Sequence, residues 1–421
     1  MMNYVIVGAS AAGLACAEQI RKEDKDGRII LLTKEEYLPY SRPSISYYLK
    51  GKVTEKDMYL RKPSYYKSMG IEIVTGAEVT AIDREKKTVR AGRKTYHYDK
   101  LCLCTGSKPF VPPMKNTDGK ANALTFLDLA CTKALKKKAN KDTRAVVIGA
   151  GLIGMKAAEG LSKICKSVDV AELSERVLPS ILDAKSSKSV KKYIETEGHI
   201  TFYLGDTVTE AKSKGDKITS VVLKSGKELP CDLLVLAVGV RPETSLAEKA
   251  GLEVNRGIIT DPGTMQTSDS DIYAAGDCAV SVDMLDGSKK IIALWVNAVR
   301  QGKAAGSQMA GGEGVTGGTF AVNAIDFYGM RICTCGLINA AGEKYSDRVI
   351  QQGDSYKRLI FEGNRLVGFV LINASENAGI YTNLIENKTD VTALHGDILG
   401  TPSLMWFDKE TRKSRLKGES A

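Results

Sequence analysis

Two short, glycine-spaced segments constrain this chain more than anything else in it. The first is Tyr4-Val-Ile-Val-Gly8-Ala-Ser10-Ala11-Ala-Gly13 and the second is Ala145-Val-Val-Ile-Gly149-Ala-Gly151-Leu152-Ile153-Gly154. Each runs from an apolar, β-branched strand through a tight turn into a helical stretch, the opening of a βαβ unit. One glycine allows the turn, a second position lets a pyrophosphate approach the backbone, and the last lets the helix lie close on the strand. The helix start then offers unpaired N–H groups and the positive end of its dipole to the phosphates. One such segment is a weak signal. Two in one chain imply two dinucleotides and hydride traffic between them.

An acidic residue follows each segment at roughly the expected 20-residue spacing. The strand over residues 28–33 leads into Lys34-Glu35-Glu36, and the strand over 167–171 ends at Glu172. A carboxylate at this point accepts hydrogen bonds from both ribose hydroxyls of an adenosine. Glu35 is preferred to Glu36, and the plainer alternative for each site is a surface acid in a β-to-α loop. Glu172 favours NAD because it repels the 2′-phosphate of NADP, while Arg176 nearby keeps NADP open.

At 421 residues the chain suits two or three domains. It has no run of 18 apolar residues, so no membrane span is expected, and no basic-then-apolar leader precedes the first strand. Nine cysteines, an odd number in no regular framework, read as reduced thiols of a cytoplasmic protein. The pairs Cys102/Cys104 and Cys333/Cys335 are simplest as core thiols. His97, His199 and His395 are isolated and no CxxCxxC run exists, so neither a metal site nor an iron–sulfur cluster is expected. The net charge of +10 is spread along the chain, with denser clusters over residues 133–141 and 409–417. No nucleic-acid motif accompanies them. A solvated helix face and a frayed tail are the default readings, and docking of an acidic protein is the other.

The pattern divides the chain. A βαβ unit and further strands occupy residues 2–111, closed by the Phe110-Val-Pro112-Pro113 linker. A second βαβ unit begins near Arg144 and runs to Gly239. A helix from Asn297 to about Met309 is followed by a flexible glycine-rich linker over 311–318. Strands over 332–338, 356–362 and 366–373, the last two joined by Gly363-Asn364, and a helix over 375–387 then form an α+β domain.

Together with Thr105-Gly106, Val238-Gly239-Val-Arg-Pro242 and Gly276-Asp277, in this order, the fingerprints resemble the FAD- and NAD(P)-dependent pyridine nucleotide–disulfide oxidoreductase superfamily. The resemblance implies an α/β fold with two Rossmann-like domains. The FAD-binding domain (1–112 and 241–312) would be interrupted by an NAD-binding domain (113–240), and a C-terminal α+β domain with a basic tail (313–421) would follow. It implies FAD contacts from Gly8, Ser10, Ala11, Gly13, Glu35, Arg42, Thr105, Gly106, Gly276, Asp277, Trp295, Val296 and Asn297. For NAD it implies Gly149, Gly151, Leu152, Ile153, Gly154, Glu172 and Gly239. Trp295-Val296-Asn297 would precede a helix whose N-terminus stabilises the anionic reduced flavin.

A finer placement comes from Leu38-Pro-Tyr-Ser41-Arg42-Pro43-Ser-Ile-Ser46-Tyr47-Tyr-Leu-Lys-Gly51. Relatives that reduce disulfides carry redox cysteines in this region, and Pro43 stands where coenzyme A disulfide reductases and NADH oxidases carry their single one. Disulfide reduction by the usual route is therefore not expected. The Tyr-Ser-Arg-Pro form resembles the electron-transfer branch: ferredoxin and rubredoxin reductases, the flavin part of nitrite reductases, and NADH-oxidising subunits of iron–sulfur complexes. This implies an FAD-dependent NADH:acceptor oxidoreductase whose partner is an iron–sulfur or rubredoxin-like protein, as a homodimer or as a subunit of a hetero-complex. An NADH oxidase or peroxidase type is the alternative, and a non-catalytic flavoprotein a third. Tyr47 replaces the usual lysine, and Lys156 replaces a glutamate that attends the nicotinamide, with Glu159 a substitute. Arg42, Pro43, Lys156 and Glu159 are thus the candidates beside the flavin, and no side-chain acid or base is required for hydride transfer.

Overall fold

The computed structural model describes residues 1–417. It comprises two compact units, each assembled from separate stretches of chain. The first unit is Met1–Pro113, Leu124–Ala139 and Leu236–Thr319. Its centre is a parallel sheet in the order Ile272–Ala274, Lys100–Leu103, Asn3–Val7, Arg28–Leu32 and Ile71–Val74. Residues 4–7 and 29–32 are all buried, as the continuous apolar runs of a parallel sheet require. Helix Ala11–Glu23 follows the first strand, and helix Trp295–Met309 packs along it. Gly302 and Gly306 make that approach possible, because a Cβ on either would collide with the backbone of Ala12 or Cys16.

The further strands expected before residue 111 were not placed one by one. Val79–Asp83, Thr88–Ala91 and Lys94–His97 form an antiparallel meander. Ser107–Pro109 pairs with Val240–Pro242. The strands are three to five residues long and largely polar, so they carry little periodicity to read.

The second unit is Met114–Ala123, Asn140–Val235 and Phe320–Ala421. Its parallel sheet includes, in order, Ile200–Leu204, Ser167–Glu172 and Arg144–Ile148, with Arg144 opposite Ser167 and Val168 opposite Ile200. The C-terminal α+β domain lies in this unit. Its antiparallel sheet is ordered Val322–Phe327, Met330–Gly336, Arg365–Ile372, Ser355–Glu362 and Tyr345–Gln352, and helix Ala378–Glu386 packs on Arg365–Ile372.

Two expectations change. Helix Leu129–Lys138, placed with the NAD-binding span, belongs to the first unit. Its Leu129 N–H donates to the Tyr40 hydroxyl (3.0 Å), and Lys136 Nζ donates to Tyr48 O (3.2 Å). The glycine-rich stretch expected as a flexible linker is tied down. Gly314 N–H donates to Ser307 Oγ (3.0 Å), Gln308 Nε2 to Gly314 O (3.0 Å), and Thr316 N–H to Gly263 O (2.9 Å).

Candidate dinucleotide sites

In the first unit, strand Asn3–Val7 turns at Gly8, whose φ of +108° favours glycine. A Cβ there would collide with Cys104 O on the neighbouring strand, and one on Gly13 would collide with Gly8 O. Backbone packing alone therefore excludes side chains at both positions. Ser10 caps the helix in an extended conformation without a capping side-chain bond. Leu14 N–H bonds back to Ser10 O (3.0 Å), so the preceding amides of Ala11, Ala12 and Gly13 sit in the first turn, where helical N–H groups need an outside partner.

Arg42 gathers this corner. It donates to Ser10 Oγ (3.3 Å) and Leu127 O (3.3 Å) and pairs with the Glu35 carboxylate. The Tyr40 hydroxyl donates to Glu35 Oε2 (2.7 Å). Burial opposes the charge on Arg42, but Tyr40, Glu35, Asp128 and Asp277 outweigh it and raise its pKa. Glu35 is thus the acid built into the corner, whereas Glu36 is exposed and lies over Gly76. Pro43 sits in the 3-10 turn Arg42–Ser44.

Thr105 Oγ1 donates to Glu243 O (2.6 Å), and Gly106 O accepts from Glu243 N–H (2.9 Å). Buried Gln301, which the sequence did not single out, accepts the Gly276 N–H at 2.8 Å. Burial pushes the Asp277 carboxyl above the usual range, while the Ser107 hydroxyl (3.2 Å) and Arg42 pull it back. The helix expected to begin after Trp295 and Val296 begins at Trp295 itself, with Leu294 as its extended N-cap. Asn297 explains the early start: its Nδ2 donates to Ile292 O (2.9 Å) and fastens the entering loop. Its Oδ1 is buried without a partner. Such an orphan acceptor in a first helical turn, together with the glycine-lined turn, fits a bound dinucleotide.

The second unit repeats the plan. Gly149 has φ +104° and donates to Ala171 O (2.8 Å). Gly151 is the N-cap of helix Leu152–Leu161, and a Cβ there would meet nothing within 4 Å. That open space leaves room for a pyrophosphate against Leu152, Ile153 and Gly154. Glu172 is half-buried, accepting Ala150 N–H and Ser174 N–H, each at 2.7 Å. Arg176 is engaged elsewhere, on Pro179 O (3.3 Å) and Asn339 Oδ1 (3.1 Å). Gly239, expected with these residues, lies in the first unit and accepts from Phe110 N–H (2.9 Å).

Lys156 and Glu159, expected at the nicotinamide end, have another task. Lys156 pairs with Glu159 (3.1 Å), donates to Asp326 O and lies over the Phe327 ring (4.5 Å). Glu159, 4% exposed, accepts from Tyr328 N–H (3.2 Å). Both anchor the hairpin of the C-terminal sheet, because this helix face is covered by residues 326–328. Lys156→Ala should therefore cost about 3 kcal/mol by stranding a buried carboxylate, while NADH affinity changes less than about threefold. Denaturation midpoints and cofactor titration would check this, and the reverse outcome would return Lys156 to the nicotinamide.

The nine cysteines are free thiols. Cys102 and Cys104 are buried with their sulfurs 3.5 Å apart, and Cys278 Sγ donates to Leu103 O (3.3 Å). Burial pushes Cys278 up to about 11. Alkylation of the native protein at pH 8 should therefore mark only half-exposed Cys131, Cys165 and Cys333, as read by intact mass. Burial also raises Cys165 to about 11, so its reaction should quicken roughly tenfold per pH unit below that value. Among the described residues there is no group of three or more metal-ligating side chains, and no helix is long and apolar enough to cross a membrane.

Residues 2–302 match the pyridine nucleotide-disulphide oxidoreductase family. The chain belongs to this family. Residues 322–389 match the C-terminal domain of rubredoxin NAD+ reductases, the α+β domain described above. Within the family, the chain is 36% identical over 324 residues to an NADH oxidase of Methanocaldococcus jannaschii, covering 74% of this chain and 71% of that protein. It is 30% identical over 408 residues to the epsilon subunit of NADH-dependent phenylglyoxylate dehydrogenase from Aromatoleum evansii, covering 95% of each. It spans about half the length of some other curated relatives it matches. The crystal structure of the covalent putidaredoxin reductase–putidaredoxin complex superposes with a TM-score of 0.84 at 27% identity, covering 100% of this chain and 99% of that one.

Proposed function

We propose that this family member is an FAD-dependent NADH:acceptor oxidoreductase that passes electrons to a small iron–sulfur or rubredoxin-like protein. One observation carries the reading: two glycine turns of the dinucleotide-binding form occur in a chain with no cysteine anywhere between Cys16 and Cys102. A thiol that would intercept flavin electrons is therefore missing from the Ser41-Arg42-Pro43 region. The names of relatives support the same exit. They include a rubredoxin-NAD(+) reductase of Pseudomonas putida at 32% identity and the reductase bound to putidaredoxin.

Gly8, Ser10, Ala11, Gly13, Glu35 and Arg42 would hold the adenosine and pyrophosphate of FAD, with Thr105, Gly106, Gly276 and Asp277 along the remainder. Bound FAD would supply the conversion of a hydride pair into single electrons. The start of helix Trp295–Met309 presents the positive dipole end that favours negative charge, and Gln301 fixes Gly276 relative to that helix. Gly149, Gly151, Leu152, Ile153, Gly154 and Glu172 would hold NAD(H). Nine unpaired thiols favour a cytoplasmic location.

The M. jannaschii relative gives an NADH oxidase as the second reading. Anaerobic stopped-flow reduction by NADH separates the two. Flavin bleaching followed by rapid reoxidation on adding an acidic ferredoxin or rubredoxin is expected. Fast turnover with oxygen and none with any such protein would favour the oxidase.

A further inference from the structure

Residues 34–68 and 128–138 hold twelve Lys and Arg against five Asp and Glu, so seven of the chain's ten net positive charges sit on two short stretches. Both stretches belong to the first unit, and helices Ile45–Leu49 and Leu129–Lys138 pack together. Lys133 pairs with Glu55 across them (2.6 Å). Four of the five acids make local bonds, and Glu36 is exposed. Glu35 serves Arg42 and Tyr40, Asp57 accepts from Thr54 N–H (2.8 Å), and Asp128 caps its helix at Cys131 N–H (2.8 Å). Cations outnumber acids on the outside, with Lys52, Lys56, Lys62, Lys136 and Lys137 exposed against Glu36 and Asp57. Lysines in the last helical turn complement the helix dipole, which accounts for Lys136 and Lys137 but not for the other three.

The same stretches carry seven of the chain's 17 tyrosines. Several of these rings carry a cation over one face: Lys133 lies 4.4 Å from the Tyr37 ring, Lys136 4.5 Å from Tyr48 and Arg61 5.1 Å from Tyr65. A face already taken by a cation is not open to a stacked base, the contact on which single-stranded nucleic acid binding relies. Ammonium groups on a firm aromatic floor suit carboxylates instead.

We infer that this cation–tyrosine surface is the docking face for a small acidic iron–sulfur protein. The inference rests on the proposed function, and it places the partner beside Arg42, which is itself bonded to Ser10 of the FAD corner. Long-range attraction by so concentrated a charge raises encounter rates and is lost as salt shortens the Debye length.

The test is Lys56→Glu/Lys137→Glu in the FAD-loaded full chain, compared with Lys217→Glu/Lys224→Glu, an equal charge change on an exposed hairpin of the second unit. NADH-driven kcat/KM is measured for an acidic ferredoxin and for a neutral quinone. The first pair should slow ferredoxin reduction at least tenfold and flatten its dependence on salt. Quinone reduction should stay within twofold for both pairs, and ferredoxin reduction within twofold for the second. The neutral pair Lys56→Gln/Lys137→Gln should fall between, which separates charge from misfolding. Equal losses in both reversals, or no loss in the first, would overturn the docking face. So would single-stranded RNA binding that needs Lys56 and Lys137 while ferredoxin reduction does not. A wild type that turns over quinone but reduces no iron–sulfur protein would instead defeat the proposed function.

Discussion

Gly13→Ala should yield a protein that retains almost no FAD, whereas Gly151→Ala should fold normally and lose only affinity for NAD(H). The two glycines occupy neighbouring steps of the same motif but face different obstacles. At Gly13 an added methyl group collides with Gly8 O, a backbone atom that cannot rotate away. The helix must then lift from the strand, at a cost of about 3 kcal/mol, and its first-turn amides move out of line with the corner made by Ser10 and Arg42. FAD affinity should fall at least 100-fold. At Gly151 the methyl group enters open space, and φ is an ordinary −76°, so stability should hold within about 1 kcal/mol. Thermal denaturation of the apoproteins and titration with FAD and NAD+ decide the matter. Equal destabilisation by both changes would mean that the open space beside Gly151 is not where a ligand approaches.

Glu172→Gln should weaken NAD(H) binding by about 10- to 100-fold, the range set by charge-assisted hydrogen bonds. It should also narrow the preference for NADH over NADPH by at least tenfold. The carboxylate already accepts two backbone N–H groups, from Ala150 and Ser174, which holds it rigidly at the strand end. An amide in its place turns an NH2 toward one of those donors, and its neutral head no longer repels a 2′-phosphate. Arg176 does not compensate, since it is bound to Pro179 and Asn339. Calorimetric titration of the FAD-loaded protein with NAD+ and NADP+ would show both effects. An unchanged ratio would remove Glu172 from the reading of the ribose.

Much of this was legible because it depends on local backbone needs. Positive φ at Gly8 and Gly149, apolar runs in buried parallel strands and an acid at a strand end all leave marks within some 30 residues. The two dinucleotide corners therefore stand out from the chain alone, as does the gap of cysteines between Cys16 and Cys102. The Gly302/Gly306 spacing, a pair of small residues one helical turn apart, names no partner by itself. Only packing shows that it admits the helix Ala11–Glu23.

Other features were settled by contacts between residues far apart in sequence. Gln301 reads as an ordinary helix residue until Gly276 N–H is found against it. Lys156 and Glu159 follow the NAD fingerprint at positions that suit a nicotinamide contact, and only the arrival of residues 326–328 turns them into anchors for the C-terminal hairpin. Helix Leu129–Lys138 looks like part of the NAD-binding span by its place in the chain. Its hydrogen bond to Tyr40, some 90 residues earlier, assigns it to the first unit and brings its lysines onto the tyrosines of residues 37–48. Backbone conformation is a property of neighbouring residues, so sequence alone determined the dinucleotide turns. A side chain's task depends on which distant backbone or charge packs against it, and that was decided by the tertiary structure.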